Sequence, residues 1–238
     1  MNNEYKEHDE VEELDLISRM HGRFKGTGLA MPAPQRALYE AVKERMLNDT
    51  HSGLHYPKFV YKPTVVDIGC GIGLGTSIMG QEAKFAWGID KNEESVNFAK
   101  QLFQRLPNNV YTSPQISFDV VDVLNFNREI VQKFDYIVSV EVIEHFNAEH
   151  RLKYLEFIKK IATPKSKIFI STPNRLAPSI SKDTPKNPHH CYEFPINEFY
   201  DLMIKHFKSV TMWDYKLENK LELDSQVTPM VAECIGIL

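Results

Sequence analysis

A carboxylate followed by glycines on alternate positions, Asp67, Gly69, Gly71 and Gly73 within VVDIGCGIGLGT, is the first set of residues here whose types and spacing could do chemistry. Glycines spaced in this way let a backbone turn sharply and approach a ligand with no Cβ in between. Val65, Val66 and Ile68 read as a short buried strand before the loop, and Leu74 to Gln81 reads as a helix after it. A dinucleotide loop would follow G-x-G-x-x-G/A and seat a pyrophosphate on the helix N-terminus. Counted from Gly69 and Gly71 the third position is Leu74, and counted from Gly71 and Gly73 it is Thr76, so neither frame fits. Asp67 would also repel a pyrophosphate by roughly 1 to 4 kcal/mol at contact distance and surface-like dielectric. The same carboxylate suits a ligand with a nucleoside at one end and a cationic amino or sulfonium group at the other, which is the form of S-adenosylmethionine.

Two further acids extend that edge. The apolar run Phe85 to Ile89 ends in Asp90, followed by Lys91, about twenty residues past the loop, where a carboxylate can accept from both ribose hydroxyls. Ile116, Phe118, Val120 and Val121 form another strand ending at Asp122, whose carboxylate suits the exocyclic amine of adenine, with Val123 and Leu124 against the ring. Each aspartate alone reads as a turn residue, but three at successive strand ends form one ligand-binding edge.

With these residues in place, roughly Tyr61 to Phe207 resembles the class I S-adenosylmethionine-dependent methyltransferases. VVDIGCGIGLGT is similar to their first motif, Asp90 to their ribose-binding acid, Asp122 to their adenine-contacting acid, and FDYIVSVEVIEHF to their fourth strand and the helix after it. The resemblance implies the donor and is silent on the acceptor, because one cofactor-binding half serves many acceptors in this family.

Acceptor chemistry falls to the loops at the strand C-terminal ends, where open α/β sheets bind ligands. Two stretches stand there: Glu141-Val-Ile-Glu144-His145, and Asn187 to Phe194 beyond the strand end Ser171-Thr172-Pro173-Asn174. Methyl transfer from a sulfonium is an in-line displacement, so holding the acceptor atom near the methyl carbon supplies much of the acceleration. A hydroxyl acceptor must also lose its proton, and a histidine with an unperturbed pKa of about 6.5 suits that task. His145 is the first choice of base and His190 the second; Glu141 could serve the methionine amino group and Glu144 a helix N-terminus.

A rival use of the same residues involves metal. EVIEH with the distal HCYEF resembles the small-RNA 3′-terminal 2′-O-methyltransferases, and that resemblance implies Glu141, Glu144, His145 and His190 as ligands to a divalent cation. MPAPQR, Met31 to Arg36, is faintly similar to a Pro-rich segment of those enzymes. Ser171 to Asn174 and Asn187 to Phe194 more closely resemble the glycan or nucleotide-sugar and ubiquinone-type O-methyltransferases. The preferred expectation is therefore O-methylation of a small-molecule or sugar-like acceptor, anionic ones included. RNA 2′-O-methylation with a metal is the first alternative, and a cofactor-binding module without turnover the second.

The elements that must position these groups alternate along the chain. Strands are expected at Thr64 to Ile68, Phe85 to Asp90, Ile116 to Asp122, Tyr136 to Glu141, Lys167 to Ser171, Ser209 to Tyr215 and Met230 to Ile237. Helices are expected from Leu74, at Glu93 to Leu106, Arg128 to Lys133, Ala148 to Ile161 and Ile196 to Phe207. That order predicts an α/β, Rossmann-like, doubly wound and mostly parallel seven-stranded sheet with an antiparallel edge and helices on both faces. Residues 1–60 read as a helical N-terminal extension and linker, with helices near Val11 to Met20 and Pro34 to Leu47, and 61–238 as the methyltransferase domain.

The net charge of −4 weighs against a dedicated nucleic-acid binder. It is unevenly spread: Met1 to Arg19 holds seven acids against Lys6 and Arg19, whereas Arg151 to His190 holds nine bases against Glu156 and Asp183. The basic stretch suits a solvated face or an anionic acceptor. Cys70, Cys191 and Cys234 show no paired metal spacing and no disulfide framework. No apolar run approaches the length of a membrane span, and the acidic start is unlike a signal peptide, so a cytoplasmic protein without membrane contact is expected.

Overall fold

The computed structural model describes residues 31–51, 62–104, 115–127, 131–180 and 187–238. The helix expected near Val11 to Met20 lies outside the described residues. Seven strands form one sheet: β1 Thr64–Ile68, β2 Phe85–Asp90, β3 Gln115–Val120, β4 Phe134–Val140, β5 Ala162–Thr172, β6 Phe207–Asp214 and β7 Met230–Ile237, in the spatial order β3-β2-β1-β4-β5-β7-β6. Strands β1 to β5 pair in parallel, and β7 runs antiparallel between β5 and β6, forming the expected antiparallel edge.

The central strands are apolar because both of their faces are covered. In β4, FDYIVSV, every residue except Asp135 is buried. Helix α1 is Ala33–His51, α2 Leu74–Met79, α3 Glu93–Phe103, α4 Ala148–Ile161 and α5 Ile196–Ile204. Asn92 and Asn147 start α3 and α4 by accepting from the backbone N–H of Ser95 and His150, each satisfying one otherwise orphaned donor. Helix α4 buries Tyr154, Leu155, Phe157, Ile158 and Ile161, the spacing of one helical face, against the sheet. Helix α1 belongs to the same compact unit as the sheet, residues 33–238. Its Asp49 meets Lys167 on β5 at 2.8 Å and accepts from Tyr136 on β4.

Several sequence expectations need correction: helix α5 stops at Ile204, and Phe207, expected to end it, opens β6. Strand β5 starts at Ala162, directly after α4, and not at Lys167. Thr163 to Lys165 looks like a loop, yet Ser166 Oγ accepts from the Thr163 N–H at 2.7 Å and donates to the Phe134 carbonyl at 2.6 Å. These bonds carry the strand through a register shift between Phe134 and Tyr136. The helix expected over 128–133 is also absent from its described part, residues 131–133, which run as coil into β4. None of the helices searched among the described residues is long and apolar enough to cross a membrane.

The sheet order reverses between β1 and β4, since the chain leaves β1 toward β2 on one side and returns to β4 on the other. A crevice opens at such a switch point, outside the C-terminal ends of the strands. The glycine loop follows β1 there, and Glu141 to His145 follows β4.

Candidate active site

The glycine loop is fixed from two directions. Asp90, at the end of β2, accepts from the Gly71 N–H at 2.8 Å and from the Asn92 N–H at 2.9 Å. Gly71 has φ +50, and a Cβ built on it would have no heavy atom within 4 Å, so the backbone there borders open space. That is the cradle an adenosyl ligand needs. Asp67 lies beneath the loop, fully buried, where it accepts from Thr76 Oγ1 at 2.7 Å and from Tyr39 Oη at 3.0 Å. Burial pushes its carboxyl up to about 6. Asp122 is exposed just past β3, accepting from the Leu124 N–H at 2.9 Å and from Asn125 Nδ2 at 2.6 Å. Ionised carboxylates offer about four lone-pair sites, so Asp122 keeps acceptor capacity after these bonds. Lys91 is exposed beside Asp90, and Val123 is half-buried beside Asp122. The residues present therefore fit S-adenosylmethionine: an open glycine turn, and carboxylates at the ends of β1, β2 and β3.

The second half of the site is built where β4 ends. Glu141 takes φ +56, an uncommon conformation for a residue with a side chain, costing about 1 to 3 kcal/mol. Ser171 on β5 compensates, accepting from the Glu141 N–H at 3.1 Å and donating to Glu141 Oε1 at 2.7 Å. Burial pushes the Glu141 carboxyl up to about 7.

A 3₁₀ turn, Ile143–His145, follows. Within it Glu144 is fully buried and held well above the usual carboxylate range, chiefly by burial and then by the charge of Glu141. Its Oε2 accepts from Thr172 Oγ1 at 3.2 Å, whereas its buried Oε1 has no hydrogen-bond partner among the described residues. That oxygen faces His190 Nε2 at 4.0 Å.

Both imidazoles are oriented through Nδ1. His145 Nδ1 lies 3.0 Å from the His189 carbonyl, and His190 Nδ1 lies 2.8 Å from Glu193 Oε1. A carbonyl oxygen only accepts, so His145 Nδ1 donates to it, and an amide N–H only donates, so His190 Nε2 accepts from Asn187 and His190 Nδ1 donates to Glu193. Asn187 Nδ2 sits 3.0 Å from His190 Nε2. The rings meet edge to face with centroids 5.0 Å apart, and Glu144, His145 and His190 each offer one ligand atom within 4.8 Å of the others. Three of the four sequence-implied metal ligands thus converge, while Glu141 turns toward Ser171 and falls outside that group.

The loop carrying His190 is tied down by backbone. The N–H groups of Cys191 and Tyr192 both donate to the Glu144 carbonyl, at 2.8 and 3.0 Å, and Cys191 Sγ lies 3.0 Å from the His145 carbonyl. The Arg151 guanidinium stacks over Tyr192 and Phe194 at 5.0 and 4.9 Å from the ring centroids. Sequence reasoning missed Tyr39, Thr76, Ser171 and Thr172, and gave Glu193 no role. Glu193 carried a local signal in its spacing of three from His190, and Thr76, Ser171 and Thr172 lay within segments already singled out without a role of their own. Tyr39 and these three act through contacts made by the fold.

Residues 62–224 match the family described as "Methyltransferase domain". The chain is 30% identical over 144 residues to the mitochondrial ubiquinone biosynthesis O-methyltransferase of Dictyostelium discoideum, covering 55% of this chain and 44% of that one. It therefore spans under half the length of that curated relative. Among solved structures, a TehB-like S-adenosylmethionine-dependent methyltransferase from Corynebacterium glutamicum superposes with a TM-score of 0.61 at 15% identity, over 96% of this chain and 100% of that one. The magnesium protoporphyrin IX methyltransferase of Synechocystis, with bound S-adenosylmethionine, gives 0.58 at 16% identity, over 98% and 100%. At such identities these likenesses show the fold alone.

Proposed function

The chain belongs to the methyltransferase domain family and is a class I S-adenosylmethionine-dependent methyltransferase; from that premise we propose that it methylates a hydroxyl oxygen of a small or sugar-like acceptor. One observation carries the reading: two imidazoles with fixed Nδ1–H groups converge beside a buried carboxylate oxygen at the end of β4. When bound, S-adenosylmethionine supplies a methyl carbon on a cationic sulfur, which the acceptor oxygen displaces in line. The loop Asn187–Phe194 and the turn Ile143–His145 hold the acceptor against that carbon and exclude water. His145 Nε2 takes the hydroxyl proton, and His190, oriented by Glu193, is the second acceptor for it once the Asn187 amide turns away from its Nε2. Glu144 Oε1, 4.0 Å from His190 Nε2, is the nearest carboxyl oxygen to an imidazolium formed there, whose charge would in turn favour ionisation of that buried acid.

The same geometry supports a second reading, in which Glu144, His145 and His190 hold a divalent cation. Metal-ligating histidines almost always donate their other ring N–H to a carbonyl or carboxylate, as both do here. Mixed carboxylate and imidazole ligation suits Mn, Fe or Zn better than Mg, and such an ion would supply Lewis acidity to the acceptor oxygen. Exhaustive chelation separates the readings: proton transfer by His145 alone predicts retained turnover, and a cation predicts its loss with recovery on adding metal. The ubiquinone-type relative supports an oxygen acceptor of small size, and the net charge of −4 disfavours RNA.

A further inference from the structure

We propose that Tyr39 is a positioning residue for S-adenosylmethionine: by holding Asp67 beneath the glycine loop, it couples the docking of helix α1 to the binding of the cofactor. The proposal rests on the cofactor assignment and extends it to a helix outside the glycine loop and the strand-end acids.

Tyr39 is 5% exposed and its hydroxyl donates to Asp67 Oδ1 at 3.0 Å, while Thr76 on α2 donates to Oδ2 at 2.7 Å. The Tyr39 ring reaches this position only because residue 75 is glycine. A Cβ there would stand 2.1 Å from Tyr39 Cζ, with two more ring carbons at 2.4 and 2.5 Å. One tyrosine thus seats α1 on the first turn of α2 and clamps the carboxylate that leads into the glycine loop and is held from α2 by Thr76.

Four groups face Asp67: Tyr39 from α1, Thr76 from α2, Cys70 from the loop and Asp90 from β2. Burial drives the Tyr39 hydroxyl and the Cys70 thiol well above their ordinary values, so both stay neutral near pH 7. Burial opposes ionisation of Asp67 and the charge of Asp90 adds to that, whereas the two hydroxyl bonds favour it. A cationic ligand over the loop favours the same ionised form. Tyr39 and the ligand therefore bias one group in one direction, and by thermodynamic reciprocity each strengthens the other.

Tyr39→Phe keeps the ring and removes the hydroxyl. Calorimetric titration of the variant and the unaltered protein with S-adenosylhomocysteine and S-adenosylmethionine, from pH 5.5 to 8.5, reads the coupling, and the ligands' own ionisations are common to both proteins. The expected result is binding weakened about three- to tenfold at pH 7, since only the part of the Tyr39–Asp67 bond that is coupled to the ligand is lost from binding, with the midpoint of the pH dependence moved upward. An equal loss at every pH, as a merely structural role would give, or no loss, would overturn the proposal. A second measurement needs no variant: saturating S-adenosylhomocysteine should slow amide exchange across residues 33–51, and unchanged exchange there would also overturn it. Failure of the unaltered protein to bind either ligand would instead overturn the cofactor assignment, and the proposal with it.

Discussion

A buried carboxylate oxygen without a donor costs about 1 to 3 kcal/mol or more, and Glu144 Oε1 stands in that condition between two oriented imidazoles. Sites that tolerate such a cost use the group. His145→Ala should lower turnover by roughly a hundredfold or more while leaving S-adenosylhomocysteine affinity nearly unchanged, because its Nε2 serves the acceptor and not the donor; steady-state kinetics alongside calorimetry checks both halves. Glu193→Gln weakens the partner that orients His190. It should cost roughly ten- to hundredfold in turnover if His190 works at the reacting oxygen or on a cation. On the donor side, Asp90 holds the Gly71 N–H of the glycine turn. Asp90→Ala should weaken S-adenosylhomocysteine binding by about 1.5 to 3 kcal/mol, the range for hydrogen bonds to a charged group, and unchanged affinity would remove it from the cofactor site.

The elements were legible where one signal dominated. Strands β2 and β7 and helix α4 fall at their expected bounds, because apolar runs or one-faced helical spacing marked them. Strand β5 was misread because Ser166 satisfies backbone groups through a hydroxyl bond to a neighbouring strand, which no local pattern announces. The glycine turn and the strand-end acids were readable as elements because they lie within short segments. The role of Asp67 was less readable: a carboxylate that reads as facing a cation lies buried, tied to a tyrosine 28 residues earlier in the chain. Thr172 and Ser171 became partners of Glu144 and Glu141 only through the pairing of β4 with β5. At this scale the contact between α1 and α2 is testable by Gly75→Ala. The added methyl meets the Tyr39 ring and should destabilise the protein by about 1 to 3 kcal/mol in denaturant unfolding. Unchanged stability would show that the two helices can part without cost.

Over the whole molecule, donor loop, acceptor edge and helix α1 meet around one switch point of the sheet, so their protonation states are linked to stability. Asp67 is raised from 3.8 to about 6, so the folded chain holds that proton more tightly than the unfolded one. The stability this group confers is fully present below about pH 4 and is lost as pH rises to about 6. A cationic ligand favours the ionised form and works against that loss. The rise in melting temperature caused by a fixed excess of S-adenosylmethionine should therefore grow between pH 5 and 7, and a constant or shrinking rise would contradict the placement of Asp67 under the cofactor. Whether the assembled site transfers methyl groups to oxygen is tested most directly by incubating the protein with methyl-labelled S-adenosylmethionine and separated small-molecule, glycan and RNA fractions, followed by chemical identification of the labelled bond. The proposed chemistry requires label in an O-methyl group of a small or sugar-like molecule, strongly reduced with His145→Ala; label confined to RNA or to nitrogen, or undiminished in that variant, would contradict it.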